Sequence, residues 1–276
     1  MNPPVSNSLR EYARGMAGGL MFSLPLLYTM EVWWTGFVAS PLRLLVYVAA
    51  TFVLLLGYNH YAGLHHDHSW REVAIDSVEE MGLGLLVAAA VLFLLGQLET
   101  DMHPHQVVGK ITVEAMTVAI GISVGTAQLG GAEAEQKGSA EVSAKEEVTF
   151  SGQLVIAACG AMLFAANVAP TEEILLIATQ ASVVKILGLT ILSLVLTALI
   201  LYYIEFTGSG QFVRGDGFVS VAVGTVVTYA VALLVSAAVL WFFGRFGDAL
   251  ITCVAQTVVL GLAATLGASA GRLLLQ

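Results

Sequence analysis

The chain has 276 residues, of which 57% are hydrophobic and 11% charged, where an ordinary soluble domain carries about 25% charged residues. That composition excludes a soluble globular fold, and the net charge of −9 argues against nucleic acid and against a polybasic lipid-binding surface. The apolar runs are continuous over the roughly 20 residues a helix needs to cross hydrocarbon, whereas a barrel strand alternates over about ten. The expected class is an all-α polytopic membrane protein.

Residues 1–14 lack the charged region, short apolar core and small-residue site of a cleavable signal, so the first helix is expected to stay in place. Eight transmembrane helices are predicted, near residues 14–34, 41–60, 78–98, 107–128, 153–179, 184–205, 218–243 and 249–273. Between the fourth and fifth lies a polar stretch rich in Glu, Ala, Gly and Ser. The expected organisation is a first four-helix region at 1–129, an acidic linker at 130–149 and a second four-helix region at 150–276. Trp33, Trp34, Trp70 and Trp241 fall near helix ends, where interfacial rings are favoured. Cys159 and Cys253 lie in apolar segments, where free cysteine packs as a small hydrophobe.

The two halves read as copies. An offset of 142 takes Gly18 to Gly160, Phe22 to Phe164, Thr29 to Thr171, Glu31 to Glu173, Ser40 to Ser182, Arg43 to Lys185 and Tyr61 to Tyr203. In the third helices the offset is 148, taking Leu85 to Leu233 and Gly96 to Gly244. For the fourth helices it reads as 140, taking Ile111 to Ile251 and Gly121 to Gly261. Four helices per copy is an even number, so both copies cross in the same sense, as parallel repeats do. With the N-terminus inside, seven Lys and Arg fall on the inner side and four on the outer, which predicts cytoplasmic termini and a cytoplasmic linker. Gly121 with Gly125 and Gly267 with Gly271 allow close helix approach, and make the fourth and eighth helices candidates for the seam between halves.

The candidate functional residues are carboxylates in apolar segments, which are costly there and usually face a partner or a wet path. Glu31 and its counterpart Glu173, beside Glu172, lead. The structural alternative pairs Glu31 with Arg43 and Glu173 with Lys185, each twelve residues on. Glu114 is the third candidate, present in one copy only and equivalent to Val254 at offset 140. It stands one turn after Lys110, with which it can pair. Asp76, Glu79 and Glu80 read as the opening turn of the third helix, stabilised by its dipole. His65, His66 and His68 share one loop and have metal-ligand chemistry, with solvated histidines as the plainer reading. No phosphate-binding loop, nucleophile elbow or paired-cysteine motif is present, so neither an enzyme nor a cofactor is expected.

The Tyr28-Thr-Met-Glu31-Val-Trp-Trp34 segment and the Leu85 to Gly96 segment, together with the repeat, resemble a family of bacterial integral-membrane proteins of unassigned function with two homologous four-helix halves. The resemblance covers nearly the whole chain and implies a multi-pass protein of the bacterial inner membrane. From the residues, the expected function is a channel or proton-coupled transporter for a cation, with intramembrane carboxylates as binding or gating groups. Its partners are then the lipid bilayer and a cation or proton, with a homo-oligomer left open. The alternative is a noncatalytic sensor, scaffold or assembly partner acting through its cytoplasmic loops.

Overall fold

The computed structural model describes residues 5–62, 69–99, 101–136, 149–206, 217–247 and 249–273. These form ten helices and no strand. The chain divides into two compact units, Met1–Lys145 and Glu146–Gln276. The first holds α1 (Val5–Leu27), α2 (Met30–Val38), α3 (Pro41–Ala62), α4 (Trp70–Leu94) and α5 (Pro104–Gln136). The second holds α6 (Phe150–Val168), α7 (Glu173–Gln180), α8 (Val183–Phe206), α9 (Gly217–Phe242) and α10 (Leu250–Leu273). Among the described residues, seven helices are long and apolar enough to cross a membrane: α3, α4, α5, α6, α8, α9 and α10.

The predicted helices 14–34 and 153–179 are each broken in two. Pro25 lies inside α1, where it lacks an N–H and its ring crowds the preceding turn, and α1 ends two residues later. The backbone groups freed there find partners, as a membrane segment requires. Thr29 N donates to Leu26 O at 2.9 Å and the Trp33 indole to Leu27 O at 3.2 Å. In the second unit the break contains Pro170, with Thr171 N donating to Val168 O at 3.1 Å and the Thr171 hydroxyl to the same oxygen at 2.8 Å.

Other boundaries move for local reasons. The third predicted helix starts at Trp70 instead of residue 78, because Ser69 caps it: Ser69 N donates to Glu72 Oε2 at 3.0 Å while Glu72 N donates to Ser69 O at 2.9 Å, a reciprocal capping arrangement. It ends at Gly96, whose φ of +69° favours glycine. There Gly96 N reaches Phe93 O at 3.0 Å and Gln97 N reaches Leu92 O at 2.8 Å, a Schellman end. The second unit ends α9 in the same manner, with Gly244 at φ +66° and Arg245 N donating to Leu240 O at 2.9 Å. The fourth predicted helix runs on as α5 to Gln136, so residues 130–136 of the expected linker are helical.

In the first unit α5 is the central element, buried almost continuously from Val113 to Gly125. Gly18 and Gly19 of α1 lie directly against Gly121 and Gly125 of α5; a Cβ on Gly121 would sit 3.1 Å from Gly19 Cα. In the second unit Gly160 of α6 meets Gly267 and Gly271 of α10, where a Cβ on Gly271 would sit 3.4 Å from Gly160 Cα. The glycine faces expected to form a seam between the halves are therefore occupied inside each unit. Close backbone approach replaces the hydrophobic drive that lipid does not supply.

Candidate functional site

The breaks account for the position of the duplicated carboxylates. Glu31 stands in the first turn of α2 and Glu173 in the first turn of α7. A helix start presents unpaired N–H groups and the positive end of the dipole. A carboxylate there has a local structural reason to exist. Glu31 is partly exposed, whereas Glu172 and Glu173 are exposed. Its own backbone N–H and the nearby Thr171 hydroxyl hold the pKa of Glu173 below the ordinary value.

Glu114 is placed differently. It lies ten residues into α5, about 15 Å along the axis, and is 0% exposed. Among the described residues, neither of its carboxyl oxygens has a hydrogen-bond partner. The expected pairing with Lys110 is not formed, although Lys110 is itself buried one turn away. Its Nζ donates to the Gln97 carbonyl at 2.9 Å and stands 4.7 Å from the centre of the Phe37 ring. Gln97 closes the Schellman turn after α4 with its N–H, donating to Leu92 O, and the lysine serves its remaining carbonyl. One turn beyond Glu114 on α5, the Thr117 hydroxyl shares a hydrogen bond of 3.1 Å with the Tyr47 hydroxyl of α3. Thr51, one turn further along α3, is buried and its hydroxyl has no partner.

A second polar cluster joins the same three helices deeper along α5. Asn59 of α3 donates through Nδ2 to Glu80 Oε2 at 2.8 Å and to Ser77 Oγ at 3.1 Å, both on α4. Ser123 of α5 donates to Asn59 Oδ1 at 2.8 Å. The Ser77 hydroxyl donates to Val73 O at 2.8 Å. The bonds form one consistent set, with each donor directed at an acceptor.

Glu80 was legible as part of an acidic helix start, and that reading is corrected. With α4 beginning at Trp70, Glu80 lies ten residues inside the helix. It falls on the stripe of Val73, Ser77, Gly84, Val87 and Ala88, all buried, at spacings of three and four. That stripe was the available signal: a carboxylate on the packed face of an apolar helix.

His65, His66 and His68 lie outside the described residues. Among the described residues, no three His, Cys, Asp or Glu side chains group as a metal site. His60 stacks on Trp70, with ring centres 4.4 Å apart. Cys159 and Cys253 are both free.

No curated protein and no solved structure matches the chain. A family model described as "Putative integral membrane protein (DUF2391)" matches residues 11–275. With that match and the apolar helices of both units, the chain belongs to this family of multi-pass integral membrane proteins.

Proposed function

We propose that the protein is a proton-linked transporter whose first unit carries the pathway, with Glu114 as its proton-binding group. The observation that carries this reading is a carboxyl at 0% exposure with both oxygens unpartnered inside an apolar helix. An ionised carboxylate there costs several kcal/mol. A metal cation that neutralised it would need about six oxygen ligands, whereas one turn either side on α5 stand the cationic Lys110 and a single hydroxyl, Thr117, already bonded to Tyr47. A proton needs one oxygen. Protein acids kept in hydrocarbon without a partner are rarely structural, because a well-packed apolar residue costs less.

The same reading treats the two units as copies of one four-helix module, in parallel, in a bacterial inner membrane with both termini cytoplasmic. Matching breaks before Glu31 and Glu173 support it, as do the matching Schellman ends at Gly96 and Gly244. For the fourth helices the packing favours an offset of 146 over 140. Gly121 and Gly125 then correspond to Gly267 and Gly271, which meet Gly18 and Gly160 respectively. Lys110 corresponds to Gln256, whose Nε2 donates to the Arg245 carbonyl at 3.0 Å as Lys110 does to Gln97. Glu114 corresponds to Leu260, not Val254.

The test is proton flux into proteoliposomes holding a pH-sensitive dye, driven by a potassium diffusion potential. Glu114→Gln is expected to lower the flux by at least about a hundredfold, the scale of a lost proton-transfer group, while remaining monodisperse in detergent. Glu114→Asp keeps the acid and retains part of the flux. Wild-type flux in folded Glu114→Gln would rule the assignment out.

A further inference from the structure

We infer that Glu80, clamped by Asn59 and Ser123 where α3, α4 and α5 meet, is a second proton-binding station on the path that includes Glu114. The inference rests on the transport reading given to Glu114. It starts from the orientation of the Asn59 amide. Ser77 donates to Val73 O and so can only accept from Asn59, while Ser123 donates to Asn59 Oδ1. Both neighbours fix the amide with Nδ2 toward Glu80. The carboxyl is thus held by a neutral donor, an arrangement compatible with the acid and with the carboxylate.

Ser123 fixes that donor. Its hydroxyl donates to Asn59 Oδ1 at 2.8 Å and so holds the amide that donates to Glu80 Oε2 at 2.8 Å. Glu80 takes up a proton as its carboxylate becomes the acid, with Asn59 Nδ2 donating to the carboxyl in both states. The acid then gives its proton to a bridging water, which releases one of its own toward the hydroxyls of α5 and α3, so that no charge stays on the relay. Each hydroxyl along such a chain accepts one proton at a lone pair and releases its own, and then rotates to reset.

Placement gives the station a direction. Glu80 is partly exposed, while Glu114 is fully buried. The charged groups acting on Glu80 are Asp76 and Glu79 of its own helix, and Tyr12 of α1 donates to Glu79 at 3.4 Å. Among the described residues, α3 and α5 bring the neutral Asn59 and Ser123. The acidic flank gathers protons at the Glu80 end. Ser123 and Glu114 are nine residues apart on α5, roughly 14 Å at helical rise, too far for one transfer over a hydrogen bond of about 3 Å. The hydroxyls of Thr51, Thr117 and Tyr47 belong to the same two helices within that interval, and ordered water bridges such groups readily.

The experiment combines flux with infrared difference spectra of the full-length protein in lipid between acidic and alkaline buffer. Wild type is expected to show two titrating carboxylic-acid carbonyl bands. Glu80→Gln removes one band and lowers flux by at least about tenfold. Ser123→Ala, a change that retains the acid and the packing, leaves both bands, shifts the frequency of the one assigned to Glu80, and slows flux. Flux lost in Glu114→Gln but kept in Glu80→Gln overturns the station and leaves the Glu114 pathway standing. Flux kept in Glu114→Gln but lost in Glu80→Gln overturns the path through Glu114 and with it the role of Glu80 as a second station on that path. Both bands surviving in Glu80→Gln also overturns it.

Discussion

Glu173 illustrates how a carboxylate in an apolar stretch acquires its role from the backbone around it. Its own backbone N–H, with the Thr171 hydroxyl nearby at the start of α7, lowers its pKa. A group whose folded pKa lies below the unfolded value stabilises the fold fully above the ordinary carboxylate range. That contribution is lost as pH falls through the lowered value. Glu173→Gln should therefore melt at a lower temperature than wild type at neutral pH, with the two curves converging under acid, as read by thermal unfolding in detergent. Glu173 is fully exposed, so solvent screens the effect and the difference is small. Parallel curves at all pH values would remove this role. Glu31 shares the first-turn position in α2, and its conversion to Gln should cost about 0.5 kcal/mol with flux unaltered. Sequence reading found Glu31, Glu173 and Glu114 because charge in apolar surroundings is visible in one dimension. It ranked them in the opposite order to burial, which depends on where the helices begin and on what packs against each face.

At the scale of the element, the boundaries that hydropathy controls were legible. Predicted helices 41–60, 184–205 and 218–243 correspond to α3, α8 and α9 within two residues at either end. The breaks at Tyr28–Thr29 and Ala169–Glu172 were legible only as loosening at Pro25 and Pro170, since a proline marks where a helix weakens and Pro25 acts three residues before the interruption it causes. If the units are read as copies, glycine placement is the better guide to the fourth-helix offset: Ala, Thr and Val recur by chance in membrane helices, whereas a packed glycine is set by a neighbour's backbone. Gly18 shows the difference, because a Cβ there would collide with Gly125 Cα. Gly18→Ala should destabilise the first unit by about 1–3 kcal/mol, the cost of overpacking. Gly188 of α8 has nothing within 4 Å of its Cβ position, so Gly188→Ala should be neutral or stabilising by up to about 1 kcal/mol through helix propensity. Steric-trap or denaturant unfolding in micelles measures both, and equal effects at the two sites would contradict the packing described.

For the whole molecule, the contrast between the units carries more about function than their likeness. Under offsets of 142, 148 and 146, Asn59 corresponds to Leu201, Ser77 to Thr225, Glu80 to Thr228, Glu114 to Leu260 and Ser123 to Ser269. All five counterparts are buried. The hydroxyl positions are kept as hydroxyls, and both acids and the amide are replaced by neutral or apolar groups. On the proposed reading of the units as copies of one module, acids needed for folding would be needed in both, so those of the first unit are dispensable for the helix arrangement. On this argument Glu80→Thr and Glu114→Leu, which install the second unit's own residues, should fold and melt close to wild type, yet each should abolish proton flux. Thr228→Val in the second unit should leave flux unchanged. Flux that falls as far in Thr228→Val as in Glu80→Thr would mean that both units conduct, and the assignment of the pathway to the first unit alone would fail.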